Sequence, residues 1–197
     1  MSLRIAFQMD PLNKVDVNAD TTFRLIEESQ KRGHSNYVYD PKNLRYDQGV
    51  VRALGSLAEV DRKAKPVVHL QEQAELVLDD FDIIWLRQDP PFDMLYITTT
   101  HILDLLSSSV FVVNKPFWVR NFPEKLLVLK FPELIPPTLI SRDLDAMKKF
   151  HNDFGEIIVK PLYGNGGEGI FKLGEGDTNL SVIFELFMKN SREPLIC

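Results

Sequence analysis

A glycine-rich segment is the part of this sequence whose residue types point most directly to chemistry. Residues 164–169, Gly-Asn-Gly-Gly-Glu-Gly, contain four glycines. Glycine adopts positive φ angles at little cost and has no side chain to keep a ligand from the backbone N–H groups, so such loops bind anions, phosphates above all. The alternative is a mobile hairpin turn without a ligand, but a hairpin needs fewer glycines. The segment therefore favours phosphate binding.

The residues around the loop indicate which kind of phosphate loop it is. A P-loop requires Lys-Ser/Thr and then a helix, and neither follows here. The spacing Gly-x-Gly-x-x-Gly is matched from Gly164, but strands are predicted on both sides, which disfavours a dinucleotide-binding fingerprint. We therefore predict a flexible hairpin that lies over phosphates.

Lysine residues supply the second candidate for phosphate contact. Lys160 lies in the apolar run Val-Lys-Pro-Leu, four residues before the loop. Because an unpaired buried ammonium is costly, a lysine in such a strand requires an anionic partner or an exposed edge position. The neighbouring loop favours the anion. Lys125 lies in a predicted short helix, where its local sequence is uninformative and a solvated lysine is the alternative to a binding role.

A third group of polar residues follows two predicted strands near the N-terminus. Arg87 and Asp89 follow one strand and Asp10 follows the other. Ligands commonly bind at the carboxyl ends of strands in α/β sheets. Arg87 would either bind a substrate carboxylate or form an internal salt bridge with Asp89 or Asp93. The sequence does not decide between these two alternatives. Asp10 is a substrate-side group or, slightly favoured, a turn-forming residue.

The elements that position these residues are predicted as alternating strands and helices. Asp20 is a candidate N-cap for the first helix, with Gly33 after its end. Residues 42–79 are predicted only as mixed strand and loop. Apolar runs and alternation predict strands at 3–9, 35–39, 81–86, 110–113, 156–162 and 170–173, with helices at 21–32, 92–106, 124–130, 144–150 and 181–189, the last capped by Asn179. In the first half of the chain the predicted strands alternate with predicted helices, and this order predicts a parallel α/β sheet.

Composition excludes several classes of protein. The chain has 197 residues and a net charge of −5, which argues against nucleic acid as a general partner. No apolar run approaches the roughly 18 residues of a membrane span, and no secretion signal is visible. The single cysteine, Cys197, suits a reducing compartment, so a cytoplasmic location is predicted. No metal ligand is assigned, because ligand-like spacing is missing among His34, His69, His101 and His151.

Several motifs of the chain resemble those of bacterial glutathione synthetases, a branch of the ATP-grasp ligases. Asp-Pro-Pro-Phe-Asp at 89–93 and Asn-Lys-Pro at 114–116 are specific to the resemblance. Lys-Pro-Leu-x-Gly-x-Gly-Gly from Lys160 is shared more widely among ATP-grasp proteins. The similar segments, in matching order and spacing, are 9–11, 86–93, 113–116, 120–121, 124–126 and 159–169.

The resemblance implies a fold and a reaction. It implies a parallel-sheet N-terminal (pre-ATP-grasp) domain over 1–122, followed by the first, α+β part of an ATP-grasp domain over 123–197. It implies the ligation of glycine to γ-glutamylcysteine, with ATP and Mg²⁺. ATP phosphorylates the cysteinyl carboxylate, the glycine amine attacks the acyl phosphate, and glutathione, ADP and phosphate form. A homo-oligomer is implied for the full-length protein.

The resemblance also assigns roles to residues. Lys125 and Lys160 match lysines that contact the ATP phosphates and the adenine region. Asp10, Arg87 and Asp89 become candidate substrate-binding residues. The residues that match the loop over the phosphates are Gly164, Asn165, Gly166, Gly167 and Gly169.

Part of the family pattern lies outside this sequence. The family continues for well over a hundred residues past the point that matches residue 197, and that portion carries the Mg²⁺ ligands and most catalytic groups. The final apolar run, 195–197, is predicted to begin a strand, and we interpret the chain as a truncated portion that is inactive alone. Two alternatives stay open: another ATP-grasp carboxylate–amine ligase, and a non-catalytic nucleotide-binding module.

Overall fold

The computed structural model describes residues 1–197, except for the side chain of Asn190. The chain divides into two compact units. The N-terminal unit comprises Met1–Asp89 and Asp93–Asn121, and the C-terminal unit comprises Pro90–Phe92 and Phe122–Cys197. The functional boundary predicted between residues 122 and 123 stays a prediction.

The N-terminal unit contains eight strands and three α-helices. Its strands are β1 (Arg4–Gln8), β2 (Ser35–Tyr39), β3 (Leu44–Asp47), β4 (Val50–Val60), β5 (Val68–Leu70), β6 (Ala74–Val77), β7 (Ile83–Leu86) and β8 (Phe111–Val113). Its helices are α1 (Thr21–Lys31), α2 (Met94–Leu103) and α3 (Pro116–Asn121).

A parallel sheet forms the centre of this unit, as the sequence predicted. β2, β1, β7 and β8 are adjacent in that order, and each neighbouring pair is parallel. Alternation along β1 divides the core, because Phe7 packs with Phe23 of α1 on one face while Ala6 packs with Ile84 and Leu103 on the other. All five side chains are almost completely buried.

Residues 42–79 form antiparallel strands that the sequence left unresolved. The eleven-residue strand β4 pairs with β2 and also with β3, β5 and β6, so the whole sheet is mixed. Burial along β4 falls on Val51 and Ala53 before Gly55 but on Ser56 and Ala58 after it. This change of phase interrupts the alternation by which a strand is recognised.

Helix α1 illustrates how local signals set the ends of an element. The carboxylate of the N-cap Asp20 accepts the backbone N–H of Phe23 at 2.6 Å. Gly33, just past the end of the helix, has φ +79°, a conformation that favours glycine. Both signals were predicted. Asn179 also lies at a helix N-cap, but its side chain makes no capping hydrogen bond in the described part of the chain.

The C-terminal unit contains a small antiparallel sheet and two main helices. Its elements are α4 (Glu124–Leu127), β9 (Ile140–Ser141), α5 (Leu144–Phe154), β10 (Ile157–Pro161), β11 (Phe171–Leu173), α6 (Leu180–Asn190) and β12 (Leu195–Ile196). The strand order is β11-β10-β12-β9, and every pairing is antiparallel. The core includes Met147 of α5, Leu180 and Ile183 of α6, and Val159 and Leu195 of the sheet.

One face of strand β10 packs against this core and the other remains open. Ile157 and Val159 are buried, whereas Ile158 between them is 42% exposed. Lys160 has the same parity as Ile158, so it lies on the open face. None of the described helices is long and apolar enough to cross a membrane.

Candidate functional site

The glycine-rich segment is a hairpin connection, as predicted. It joins β10 to β11, which pair antiparallel with Val159 opposite Phe171. Gly166, Gly167 and Gly169 have φ angles of +61°, +81° and +69°. A side chain at these positions would be strained, so three of the loop's four glycines are required by the backbone itself.

Gly169 has a second, packing requirement for glycine. A Cβ built there would lie 3.1 Å from Cγ of Pro161 and 3.2 Å from the ring of Phe187. In contrast, a Cβ at Gly166 or Gly167 would meet no atom within 4 Å. The loop is therefore open at Gly166 and Gly167, and a ligand can approach the backbone N–H groups there.

Lys125 lies at the base of this loop. From α4, its Nζ donates hydrogen bonds to the carbonyl oxygen of Pro161, at 3.2 Å, and to that of Gly164. Burial lowers the pKa of Lys125, and the charge of Lys160 lowers it further. The local sequence left Lys125 undecided, and these hydrogen bonds argue against the alternative of a fully solvated helix lysine. Helix α4 instead places this ammonium where β10 turns into the loop.

Lys160 lies on an inner strand of its sheet, opposite Ile196 of β12. The alternative of an exposed edge position is therefore wrong, and the side chain is half-buried. Among the ion pairs of the described residues, none includes Lys160. It lines a cavity of about 360 Å³ together with Ile158, Ile196 and Cys197. Burial raises the pKa of the Cys197 thiol to about 11, so this lining group is neutral.

Arg87 has partners that the sequence did not indicate. Its Nη2 donates to the Thr21 hydroxyl at 2.7 Å, and its Nε donates to the Thr22 hydroxyl at 3.0 Å. The internal salt bridge with Asp89 or Asp93 is not formed among the described side chains. The guanidinium is thus oriented by neutral hydroxyls, and it forms no ion pair among the described residues.

Asp10 and Asp89 belong to one acidic pocket at the carboxyl ends of β1 and β7. The carboxylate of Asp10 accepts the backbone N–H of Asp89 at 2.9 Å, which is a turn-forming role. Both residues line a cavity of about 490 Å³ with Lys14 and Asp20. Burial raises the pKa of Asp89, the charges of Asp10 and Asp20 raise it further, and Arg87 opposes the change.

A buried hydrogen-bond network at the carboxyl ends of β1 and β7 was missed by the sequence analysis. Gln8 at the end of β1 is fully buried, and its amide donates to Oε1 of Gln88. The Tyr39 hydroxyl donates to Gln8 at 3.1 Å, and the Thr99 hydroxyl donates to Gln88 at 3.0 Å. The signal was a pair of glutamines at the ends of apolar strands. The network fixes the chain that leads into Arg87 and Asp89.

No group of three or more His, Cys, Asp or Glu side chains suited to a metal ion occurs among the described residues. The Mg²⁺ ligands were predicted from the resemblance to lie beyond residue 197, and that stays a prediction.

Solved structures share the fold of this chain. A RimK domain ATP-grasp protein from Sphaerobacter thermophilus matches 98% of the chain with a TM-score of 0.59 and 16% identity, over 62% of its own chain. D-alanyl-alanine synthetase A from Vibrio cholerae matches 99% of this chain with a TM-score of 0.56 and 14% identity, over 59% of its own. At such identities the likeness establishes the ATP-grasp arrangement of the fold alone.

Sequence comparison is more specific. Residues 3–120 match the family described as prokaryotic glutathione synthetase, N-terminal domain, and residues 124–197 match prokaryotic glutathione synthetase, ATP-grasp domain. The chain is 48% identical to a glutathione synthetase of Brucella melitensis and 47% identical to one of Mesorhizobium japonicum, over its whole length. It spans 63% of the length of each of these curated relatives. Two consecutive family matches and identity of this level over the whole chain place it in the prokaryotic glutathione synthetase family.

Proposed function

We propose that this chain provides the substrate-side domain and the start of the nucleotide site of an ATP-dependent glutathione synthetase. The observation that carries the proposal is the placement of Lys125 at the base of the glycine hairpin, donating to Pro161 and Gly164. The Lys125 ammonium, the strand residue Lys160 and the open glycine loop together form a site for a polyphosphate. The match of residues 124–197 to the ATP-grasp domain of prokaryotic glutathione synthetase supports ATP as the polyphosphate.

The proposed reaction joins glycine to γ-glutamylcysteine. A carboxylate is a poor electrophile, so ATP transfers its γ-phosphoryl group to the cysteinyl carboxylate and ADP leaves. The amine of glycine attacks the acyl carbon, the C–N bond forms, and inorganic phosphate leaves with the former carboxylate oxygen. The protein must therefore hold phosphates, neutralise their charge and exclude water from the acyl phosphate.

The chain's own residues take defined parts in this proposal. Lys125 and Lys160 neutralise phosphate charge, and Lys160 also borders the cavity that extends along the open face of β10. The loop of Gly164, Asn165, Gly166, Gly167 and Gly169 folds over the phosphates through its backbone N–H groups. Mg²⁺ supplies further charge neutralisation when it is bound with ATP. The described residues include no ligand cluster for it, so its ligands are expected outside them.

Arg87 is the proposed carboxylate-binding group of the substrate side. Its guanidinium is oriented by the hydroxyls of Thr21 and Thr22, and Asp89 lies nearby. An arginine held in this way is preorganised for a bidentate carboxylate contact. Asp10 and Asp89 would then accept hydrogen bonds from a substrate ammonium or amide. We further propose a cytoplasmic location and a homo-oligomeric assembly, as expected from the resemblance.

The test is ADP release by the gene product, read to its stop codon, with Mg-ATP. Release that requires both γ-glutamylcysteine and glycine is the expected result. Release with another carboxylate and amine, but not with this pair, would indicate a different ATP-grasp ligase. A folded protein that binds ATP without releasing ADP under any combination would support the non-catalytic module and contradict the proposed function.

Replacing Lys160 with alanine is expected to weaken ATP binding. The loss of one charge-assisted contact corresponds to about 1.5–3 kcal/mol, or roughly a 10- to 150-fold rise in the dissociation constant. Calorimetric titration with Mg-ATP measures it. Lys172→Ala is the matched control. Lys172 lies on the same sheet, but its side chain is 63% exposed and its Nζ is paired with the carboxylate of Glu156 at 2.8 Å. Equal affinities for wild type and Lys160→Ala would contradict the assigned role.

Replacing Asp89 with asparagine is expected to stabilise the protein and impair its activity. Because burial and the charges of Asp10 and Asp20 raise the pKa of Asp89, the folded state loses stability as the pH rises through that pKa. Above that pKa the ionised carboxylate is therefore unfavourable in the folded state. Asparagine should raise the free energy of unfolding, by less than about 1 kcal/mol because the group is solvent-screened. Urea unfolding at pH 7 and KM for γ-glutamylcysteine measure the two effects. A stability gain without a rise in KM would remove Asp89 from the site.

A further inference from the structure

A second cavity of the N-terminal unit lies at the carboxyl ends of β1 and β2. Its volume is about 310 Å³, which is at the lower limit of cavities that hold small molecules. Its lining comes from β2, from β4, from the segments that follow β1 and β2, and from the connection of β5 to β6. We call it the β2–β4 cavity. Asp10 and Pro11 line both this cavity and the acidic pocket, so the two are neighbours.

The inner part of the β2–β4 cavity contains a hydroxyl without a hydrogen-bond partner. Ser56 of β4 lies opposite Val38 of β2 in the antiparallel register, so the two side chains share one face of the sheet. Ser56 is only 4% exposed and lines the cavity, and its hydroxyl makes no hydrogen bond within the described part of the chain. Because an unpaired buried polar group is costly, this hydroxyl requires a ligand or an ordered water.

Apolar side chains line the cavity between Ser56 and its opening. Met9, Leu12 and Val38 are buried in its inner wall. Leu54 and Leu70 are instead 37% and 46% exposed, although both line the cavity. An aliphatic chain bound there would remove these two leucines from water, which is favourable.

Charged groups lie at the opening of the cavity. Lys42 is 70% exposed, and its Nζ is paired with the carboxylate of Asp40 at 2.9 Å, so these two charges offset each other. Asp10 is exposed and forms no ion pair with any described residue. The opening therefore has one uncompensated carboxylate, which favours a cation and disfavours an anion.

We propose that the β2–β4 cavity binds a short aliphatic molecule with a neutral hydrogen-bonding group at one end and an ammonium group at the other. The neutral group binds the Ser56 hydroxyl, the aliphatic chain packs against Leu54 and Leu70, and the ammonium group lies beside Asp10. An amino alcohol has this chemistry. The site goes beyond the function proposed above, since it contains neither Arg87 nor the glycine loop.

The first test compares two amines that differ by one hydroxyl. Terminal aminopentanol is the probe, and pentylamine lacks its hydroxyl. The gene product, read to its stop codon and labelled at its leucine and valine methyl groups, is titrated with each amine and followed by NMR. Saturable shifts are expected at Val38, Leu54 and Leu70, with a dissociation constant on the order of 1 mM for aminopentanol. Pentylamine should bind about two- to tenfold more weakly, because it lacks one hydrogen bond.

Two outcomes of this titration would overturn the proposal. The absence of saturable shifts at these methyl groups would leave an ordered water as the partner of Ser56. Equal affinities of the wild-type protein for the two amines would show that the hydroxyl is not recognised.

Ser56→Ala separates the hydrogen bond from a general structural effect. The variant should bind aminopentanol as weakly as pentylamine, while its affinity for pentylamine stays that of the wild type. Equal weakening for both amines would contradict the role of Ser56. Leu70→Ala should weaken both amines by about three- to tenfold, since both pack against this side chain. Leu105→Ala is the matched control, because Leu105 is 60% exposed in the same unit and does not line the cavity. An equal loss in this control would overturn the packing of the ligand against Leu70.

A third probe tests the charge at the opening. Hydroxypentanoate has a carboxylate in place of the ammonium group of aminopentanol, and it should bind at least about tenfold more weakly. Asp10→Asn should reduce this difference, because it removes the uncompensated charge. Equal binding of the two probes by the wild-type protein, or an undiminished difference in Asp10→Asn, would overturn the placement of the ammonium group beside Asp10.

Discussion

Replacing Gly166 and Gly167 together with valine is expected to lower turnover by about 100-fold, which is the effect of a misplaced group near the chemistry. Both residues have positive φ, +61° and +81°, where a β-branched side chain is strongly disfavoured. The loop must adopt another backbone conformation, and its N–H groups then lose their orientation toward the phosphates. Steady-state kcat for ADP release measures the effect.

A matched control separates strain from function. Gly49, in the turn between β3 and β4, has φ +89° and would meet no atom within 4 Å of an added Cβ. Gly49→Val should therefore suffer comparable backbone strain and leave kcat unchanged. Wild-type turnover in the double variant of Gly166 and Gly167 would remove the loop from the proposed mechanism.

The largest expected loss of stability comes from a single methyl group at Gly55. A Cβ there would lie 2.7 Å from the carbonyl oxygen of Val38, 2.7 Å from Cδ1 of Leu76 and 3.0 Å from Cβ of Tyr39. The Leu76 side chain can turn away, but the carbonyl belongs to β2 and is held in the sheet. We expect Gly55→Ala to lower the free energy of unfolding by about 1–3 kcal/mol, as overpacking does.

Urea unfolding followed by far-ultraviolet circular dichroism measures this loss. Both tryptophans, Trp85 and Trp118, lie in the N-terminal unit, so their fluorescence assigns the loss to that unit. Gly174→Ala is the control, because no atom lies within 4 Å of its added Cβ and its φ is not positive. It should change stability by less than about 0.5 kcal/mol. A Gly55→Ala protein as stable as this control would contradict the close approach of β4 to β2.

Local signals accounted for much of the fold because they act within a few residues. Asp20 caps α1 through an N–H three residues away, and Gly33 follows its end with positive φ. Apolar runs and the alternation of apolar and polar residues predicted the parallel strands of the N-terminal sheet. The failure at residues 42–79 has an equally local cause: Gly55 changes the phase of burial in β4, and its absent side chain accommodates β2, a requirement that no local pattern reports.

Other features depend on residues that are distant in the sequence. Arg87 is bound to Thr21 and Thr22, 66 and 65 positions earlier, while the carboxylates beside it in the sequence form no ion pair with it among the described residues. Proximity in the chain suggested the carboxylates. The folded sheet brings the start of α1 to the end of β7 instead, so hydroxyls orient the guanidinium.

The amino-acid sequence by itself determined the glycine hairpin, the parallel strands and the motifs that identify the family, since each depends on residue types at short, fixed spacing. Only the tertiary structure decided the partners of Arg87 and Lys125. Lys125 reaches the carbonyl oxygens of Pro161 and Gly164 across 36 and 39 positions. The ring of Phe92 packs against the ring of Tyr163, although the two residues are far apart in the sequence. Such contacts arise when separate elements pack, because packing fixes which distant groups share a hydrogen bond or a ring face.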